Sequence, residues 1–163
     1  MDVPTEILPA ELRAALGHFA TGVSVITTRT GAGEPVGTTV SALTSVSLDP
    51  PLVLVCLDRG SATLGALRRS ATFAINVLAV DQEALSTRFA RKGRHAGWDG
   101  VAHRIGRVGA PQLDGALAVV DCEVQEHLEG GDHEIVLARP VDLAVAEHRS
   151  PLLHFRGAYG ALA

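Results

Sequence analysis

The sequence has 163 residues, of which 47% are hydrophobic and 20% are charged, and its net charge at pH 7 is -4. This composition predicts one globular domain over residues 1–163, large enough to bury a core of its own. The acidic balance argues against a nucleic-acid-binding protein, and the lack of a long apolar run or a basic amphipathic stretch argues against a membrane protein.

Three short helices are predicted. Residues 10–20 follow a proline and carry apolar side chains at helical spacing, which is typical of an amphipathic helix. Two further helices are predicted at 62–69 and 82–90, where Ser61 and Asp81 are suited to be the N-caps.

Segments rich in β-branched residues predict the strands of an antiparallel structure. The segment 52–57 is wholly apolar and is therefore predicted to be buried on both faces of a sheet. Because the connections are mostly hairpin-like, the pattern favours an antiparallel barrel over a doubly wound sheet, and no Gly-x-Gly-x-x-Gly follows a strand to support a Rossmann domain. The predicted strands cover 23–30, 36–42, 52–57, 73–78, 116–126, 134–145 and one segment after Pro151.

Hydroxyl side chains crowd the segment before the apolar strand. Buried hydroxyls without partners are costly, so such a run either contacts a polar ligand or forms a threonine-rich edge strand that faces solvent. The spacing alone leaves both interpretations open. Gly37 would let a planar ligand approach the backbone closely. The hydroxyl residues are Thr38, Thr39, Ser41, Thr44, Ser45 and Ser47.

A possible anion site follows the same strand. Ser61 and Thr63 stand at a predicted helix start, where backbone amides and the helix dipole favour a phosphate. Simple capping by Ser61 explains the same residues. The cations Arg91, Lys92 and Arg94 either complete the anion site or belong to a solvated charged loop.

Two groups of donors come late in the chain. His133 follows a Gly-Gly turn, which either holds it at the mouth of the predicted barrel or leaves it as a surface histidine. His154, Arg156 and Tyr159 lie together in the terminal segment, where they either meet a ligand or form an exposed polar face. The other histidines lack ligand spacing, so no metal site is predicted. No nucleophile elbow or catalytic triad pattern is present, which favours a protein that presents a cofactor.

The cysteines and the N-terminus bear on the compartment. Cys56 and Cys122 lie in apolar strand-like runs and are predicted to be buried, unpaired thiols. The first residues, MDVPTEILPAELR, have neither a basic start nor an apolar h-region, so no secretory signal is expected. A cytoplasmic protein is therefore predicted.

Five segments in a fixed order resemble the short-chain flavin reductases, the reductase components of two-component flavin monooxygenases. The resemblance extends from about Leu12 to Gly160 and so covers nearly the whole chain. The segments are FATGVSVITT (19–28), GTTVSALTSVSLDPPLVLVCL (37–57), FAINVL (73–78), EGGDHEI (129–135) and PLLHFRGAYG (151–160).

The resemblance implies a fold and an activity. The fold would be mainly β, a split β-barrel (the Greek-key antiparallel barrel of the FMN-binding type) with a few short helices, and a homodimer would bind flavin near its subunit interface. The activity would be the reduction of FMN or FAD by hydride transfer from NADH or NADPH. The reduced flavin would then leave for a partner monooxygenase.

The same resemblance implies roles for particular residues. His133 would be the catalytic residue, on the nicotinamide side of the flavin. The cofactor-binding residues would be Thr38, Thr39, Val40, Ser41 and Ala42 along the isoalloxazine ring, Ser47 near the ribityl chain, Cys56, Leu57 and Asp58 beside the ring or the ribityl chain, Ser61, Thr63, Ala90 and Arg91 at the phosphate, and Arg156 and Tyr159 on the nicotinamide side.

Two positions depart from the family pattern. Ala138 stands where the family often has glycine, and His154 stands where it commonly has an aromatic residue. Both lie in the region expected to meet nicotinamide, so the choice between NADH and NADPH stays open. The alternative functions are a flavoprotein of the same barrel class that holds FMN tightly and acts on another substrate, and a non-catalytic flavin-binding module.

Overall fold

A computed structural model describes residues 6–91 and 97–162. Within these residues, strands dominate and the three α-helices are short. A 3-10 turn at Val80–Gln82 precedes the third helix. In chain order the elements are α1 (Pro9–Leu16), β1 (Thr21–Gly22), β2 (Ser24–Arg29), β3 (Pro35–Val40), β4 (Leu43–Leu48), β5 (Pro51–Asp58), α2 (Ala62–Ser70), β6 (Thr72–Val77), α3 (Glu83–Phe89), β7 (His103–Ile105), β8 (Pro111–Leu113), β9 (Ala118–Gly130), β10 (His133–Val145), β11 (Leu153–Phe155) and β12 (Ala158–Gly160).

Seven strands form the main sheet, in the order β3-β2-β6-β9-β10-β5-β4, and each neighbouring pair is antiparallel. The two edge strands, β3 and β4, are consecutive in the chain and are joined by Ser41 and Ala42 alone. The sheet therefore curls until its edges meet at this corner, and the barrel stays split. The predicted class, a mainly β split barrel with few helices, is confirmed. One domain over 1–163 stays a prediction.

Two large apolar clusters fill the described structure, and a smaller one consists of Ala74, Ala110 and Val119. The larger one lies inside the barrel, under α2, and includes Phe73 and Val55, both fully buried. The second lies between β2, α3 and the C-terminal segment, and it includes Phe89 and Leu152. Two small sheets, β1-β11-β12 and β7-β8, flank the barrel. None of the helices among the described residues is long and apolar enough to cross a membrane.

Strand β5 differs from its prediction in burial. Val55 and Leu57 face the core, whereas the alternate residues Leu54 and Cys56 are only half-buried. Burial on both faces is therefore wrong for a single chain. The neighbouring strand β10 repeats the pattern, since Leu137 pairs with Leu54 and is also half-buried. We call this surface the outer apolar face; it consists of Leu52, Leu54, Cys56, Ile135 and Leu137.

Helix α1 begins at Pro9 as predicted but ends at Leu16, four residues before the predicted end. None of its residues is buried, so the described chain leaves its apolar side largely exposed. Leu12 is 50% exposed and Phe19, just after the helix, is 75% exposed.

The start of α3 was predicted one residue too early. Gln82 occupies the N-cap position, and Asp81 lies within the preceding 3-10 turn. The Asp81 carboxylate instead accepts hydrogen bonds from Arg149 Nη2, at 2.5 and 2.6 Å. An ion pair with a distant arginine thus replaces the local cap.

The terminal segment was predicted as one strand, but it forms the hairpin β11–β12. Arg156 and Gly157 make its turn with φ values of 51° and 80°. Gly157 adopts this left-handed conformation without steric cost. The strands β1, β4, β7 and β8 were not predicted, because they are short or rich in polar residues.

Gly37 makes room for a side chain of α3. A Cβ at this position would lie 3.2 Å from the Phe89 ring and 3.2 Å from the Ile26 carbonyl oxygen. The missing side chain therefore admits Phe89 of α3, and the approach of a planar ligand to the backbone at Gly37 stays a prediction.

The two cysteines are both free thiols. Cys122 is fully buried as predicted, and burial raises the pKa of its thiol to about 12, with the nearby Asp121 carboxylate adding to the shift. Cys56 is only half-buried, because it belongs to the outer apolar face. Burial still raises the pKa of the Cys56 thiol.

Candidate functional site

The corner between β3 and β4 is held in place by backbone hydrogen bonds. The Ala42 carbonyl accepts the Cys56 amide at 3.0 Å, and the Ser41 carbonyl accepts the Leu43 amide at 3.1 Å. Ser41 and Ala42 themselves are exposed. The corner is therefore a fixed backbone edge that presents its side chains outward, next to β5.

Thr38 and Thr39 point to opposite faces of β3, as alternation along a strand requires. The Thr39 hydroxyl donates to the Ser86 carbonyl of α3 at 2.7 Å. The Ser86 hydroxyl in turn lies 2.7 Å from the Tyr159 hydroxyl of β12. A chain of polar contacts thus joins β3, α3 and the terminal hairpin around one site.

A pocket of about 190 Å³ opens at this junction. Five of its residues belong to the predicted cofactor-binding set, and three do not. The predicted residues are Thr39, Val40, Ser41, Ala90 and Tyr159, and the others are Val23, Ser86 and His154. His154 had been named, with Tyr159, as a possible ligand contact of the terminal segment, although not as a cofactor-binding residue. The signal that points to Ser86 is its spacing of four residues from Ala90 on a predicted helix.

Strands β5 and β10 connect the corner to His133, which was predicted to lie on the nicotinamide side. The Cys56 amide bonds Ala42, and Cys56 pairs with Ile135 across the β5–β10 ladder. His133 lies two residues before Ile135, a distance of about 7 Å along the strand. It also pairs with Asp58, so the ends of β5 and β10 present these two residues side by side.

His133 is held at the first residue of β10. Its side chain is 43% exposed, and its Nδ1 lies 2.7 Å from Oδ1 of Asp132. The hydrogen bond with His133, followed by the charge of its ring, lowers the pKa of the Asp132 carboxyl. Arg59 donates from Nε to the His133 carbonyl at 3.3 Å. The carboxylate partner leaves Nε2 as the ring nitrogen available to a ligand.

A group of charged residues lies beneath His133. The Glu134 side chain is 10% exposed; it accepts hydrogen bonds from Arg68 of α2 and lies 2.5 Å from Nδ1 of His127. The hydrogen bond from Arg68 is the main reason that the pKa of the Glu134 carboxyl is lowered, although its burial acts in the opposite direction. This group connects α2 to the hairpin that carries His133.

The N-terminus of α2 starts a short turn after Asp58. Ser61 occupies the N-cap position, but its side chain makes no capping hydrogen bond. The Gly60 amide is bound to Oδ1 of Asp58 at 2.7 Å, which fixes the turn. Thr63 is 2% exposed, so its side chain points into the protein, whereas Ser61 is half-buried.

Several predicted residues lie away from the pocket. Ser47 is near the far end of β4, opposite Leu52, and this chain does not bring it to the corner. Leu57 is buried at 1% exposure, and it pairs with Glu134 within the sheet. Arg156 lies in the β11–β12 turn, where its amide donates to the Gly17 carbonyl.

The predicted cations after α3 are only partly described. Arg91 is exposed and lines an open hollow of about 560 Å³ with Glu83, Thr87 and Arg88. This hollow lies on the solvent side of α3, and Ala90 contacts the corner pocket instead. Lys92 and Arg94 lie outside the described residues.

Comparison with known proteins gives one consistent family. Residues 16–163 match the model of the flavin reductase like domain. The reductase component of a 4-nitrophenol 4-monooxygenase/4-nitrocatechol 2-monooxygenase from Rhodococcus opacus is 42% identical over 151 residues, which cover 93% of this chain and 80% of that protein. A probable flavin reductase from Rhizobium meliloti is 44% identical over 133 residues, which cover 80% of this chain but only 42% of that relative.

A solved structure agrees with the sequence matches. The NADH:FAD oxidoreductase of Streptomyces globisporus C-1027, in complex with NAD and FAD fragments, superposes with a TM-score of 0.89 at 34% identity, covering 98% of each chain. The similarity therefore includes the corner pocket and the His133 hairpin within one continuous fold.

Proposed function

This chain belongs to the flavin reductase-like family, and on that premise we propose that it is an NAD(P)H:flavin oxidoreductase that reduces FMN or FAD and supplies a partner monooxygenase. One observation carries the proposal. Five of the residues assigned to the cofactor line a single pocket at the β3–β4 corner. Strands β5 and β10 lie beside this corner, and His133 is the first residue of β10.

The residues at the corner fit a flavin. Val23 and Val40 offer apolar contact for a planar ring, while Ser41 offers a hydroxyl at the exposed edge. At the other end, the N-terminus of α2 offers backbone amides and a Ser61 hydroxyl that is not used for capping, which suits a phosphate. The backbone amides rather than the buried side chain of Thr63 would serve there.

The chain's task is to bind and align two ligands. When bound, the nicotinamide and the flavin supply the hydride chemistry, so the protein needs no nucleophile of its own. His133, held by Asp132 and Arg59, would orient the nicotinamide on the open side of the pocket. Alignment of this kind lowers the barrier without proton transfer by the protein.

A homodimer is part of the same proposal. The outer apolar face runs across β5 and β10, and nothing in the described chain covers it fully. An antiparallel sheet that is apolar on both faces is expected to bury the second face against another subunit. Because Cys56 of this face adjoins Ala42 of the corner, the interface would border the flavin site.

A cytoplasmic location is also proposed. Cys56 and Cys122 are both free thiols, which is typical of proteins in a reducing compartment.

The proposal is tested with protein purified without added flavin. Oxidation of NADH and of NADPH is followed at 340 nm with FMN, FAD or riboflavin as the acceptor. We expect rates that saturate with added flavin, and weaker binding of riboflavin because it has no phosphate for α2. If no combination of NADH or NADPH with a flavin shows flavin-dependent oxidation, the proposal is overturned. Stoichiometric flavin that co-purifies, without turnover of free flavin, would instead support a flavoprotein that keeps its cofactor.

Supply of a monooxygenase requires that the reduced flavin leave the protein. Under air, free reduced flavin reacts with oxygen to give hydrogen peroxide. We expect peroxide equivalent to the NAD(P)H consumed when no monooxygenase is present. Because a reduced flavin that stays bound can also pass its electrons to oxygen, release is measured without oxygen and with excess FMN. Reduction that stops at one flavin per protein would show that the reduced flavin stays bound, and the supply role would then be wrong.

A further inference from the structure

His154 stands at the centre of the small sheet that closes one side of the corner pocket. On β11 it pairs with Thr21 of β1 and with Tyr159 of β12. His154 lines the pocket, and so do Thr39 of β3 and Ser41 of the corner. The residue is half-buried, so its ring is fixed by neighbours while one side stays open to the pocket.

Three of the other polar side chains around the pocket are already engaged, and the fourth, Ser41, lies at its exposed edge. The Thr39 hydroxyl donates to the Ser86 carbonyl, and the hydroxyls of Ser86 and Tyr159 contact each other at 2.7 Å. The His154 ring makes an edge contact with the Tyr159 ring, with centroids 5.8 Å apart. Among the described residues, no hydrogen bond to either His154 ring nitrogen is present. Away from the exposed edge, His154 is therefore the polar side chain of this pocket that is left for a ligand.

Hydride transfer changes the charge of a flavin. The oxidised ring system is neutral, whereas the reduced one carries negative charge near neutral pH. A nearby N–H donor interacts more strongly with the charged form, because charge-assisted hydrogen bonds exceed neutral ones. A donor in the pocket wall therefore favours the reduced flavin over the oxidised flavin.

We propose that His154 is a specificity-determining residue that hydrogen-bonds the flavin and makes the pocket bind the reduced form more tightly than the oxidised form. The inference rests on the proposed function, since it requires that flavin occupy the corner pocket. His154 would thereby control how long the reduced flavin, which is the product, stays bound.

The test compares dissociation constants rather than activity. Oxidised FMN and dithionite-reduced FMN are titrated into the protein anaerobically by calorimetry. His154→Phe keeps an aromatic ring against Tyr159 but removes the donor, and His154→Gln keeps a donor. For His154→Phe we expect the Kd for reduced FMN to rise about tenfold, the effect of losing one hydrogen bond to a charged group. We expect the Kd for oxidised FMN to change less than twofold.

The conservative variant separates a hydrogen bond from a loss of packing. His154→Gln should recover most of the affinity for reduced FMN. His154→Leu serves as a second donor-free variant if the phenylalanine disturbs the hairpin. An equal rise in both dissociation constants, or no rise in either, would overturn the inference. If the unaltered protein binds no flavin in either form, the proposed function itself is wrong, which is a distinct result.

Discussion

His133 and Glu134 are adjacent in the chain but face opposite sides of β10. His133 is open to solvent beside Asp58, and Glu134 is buried below it among Arg68 and His127. The sequence pattern GGDH was sufficient to propose His133. It could not reveal the charged group beneath it, because Arg68 and Glu134 are 66 positions apart and only the fold brings them together.

Replacing His133 tests the nicotinamide side of the site. We expect His133→Ala to lower kcat/KM for NADH about tenfold, the effect of one lost hydrogen bond to a charged ligand, and to leave the Kd of FMN within twofold. Steady-state kinetics and flavin titration give the two values. His148→Ala, at an exposed histidine after β10, is the matched control. Unchanged hydride-transfer rate and NADH affinity would exclude the role given to His133.

Glu134 should make stability depend on acid pH. Its pKa is lowered from the ordinary value of 4.5 by Arg68 and His127. The stabilisation is therefore complete above that value and is lost as the pH falls through the lower pKa of the folded state. At pH 7 we expect Glu134→Gln to reduce the free energy of unfolding by about 1.5 kcal/mol.

Urea denaturation between pH 3 and pH 7 measures this dependence. The difference between the parent protein and Glu134→Gln should vanish at the acid end, because the parent carboxyl is then neutral as well. Glu129→Gln is the control, since this side chain is 93% exposed and its pair with Arg59 is 3.6 Å long. A pH-independent difference would assign the effect of Glu134 to packing alone.

Among the elements, those with strong periodicity were predicted correctly. The β9–β10 hairpin follows from two long β-branched segments around a Gly-Gly turn, and α2 follows from apolar spacing after Ser61. Strand β4 was missed because Leu43–Leu48 has three hydroxyl residues and no regular alternation of burial. β4 is a strand because it pairs with β5, and its own sequence does not indicate that pairing.

Helix α2 gives a prediction that separates capping from phosphate binding. Ser61 makes no side-chain cap, so we expect Ser61→Ala to change the free energy of unfolding by less than about 0.5 kcal/mol, below the usual cost of a lost cap. We expect the same variant to weaken FMN binding about tenfold and riboflavin binding not at all. Ser45→Ala, at an exposed serine of β4, is the control. Equal weakening of FMN binding and of riboflavin binding would show that Ser61 does not contact the phosphate.

For the whole molecule, the most informative error concerns β5. The apolar run 52–57 predicted burial on both faces of the strand, yet one chain buries only the face of Val55 and Leu57. The proposed dimer would bury the other face. An apolar sequence pattern alone does not distinguish a face that belongs to the core of one chain from a face suited to an interface. The same reasoning applies to α1, whose apolar residues were predicted from spacing and are exposed in the single chain.

A charge on the outer apolar face should prevent assembly. We expect Leu54→Lys to shift the protein from dimer to monomer in size-exclusion chromatography with light scattering, because an unpaired charge would be buried at the interface. Ile105→Lys, at a 47% exposed residue of β7, should leave the dimer intact. A parent protein that is itself monomeric would contradict the dimer, and a dimeric Leu54→Lys variant would place the interface elsewhere.

The small sheet β1-β11-β12 has strands of only two or three residues, while β9 and β10 have thirteen each. Local opening should therefore be far more frequent in the small sheet than in the barrel. In hydrogen–deuterium exchange, we expect the amides of 153–160 to exchange before those of 118–130, and added FMN to slow the first group selectively. Equal protection of both segments would argue against such opening. If the β11–β12 hairpin opens while the barrel remains folded, the opening rate of the hairpin would set the rate at which reduced flavin leaves the pocket.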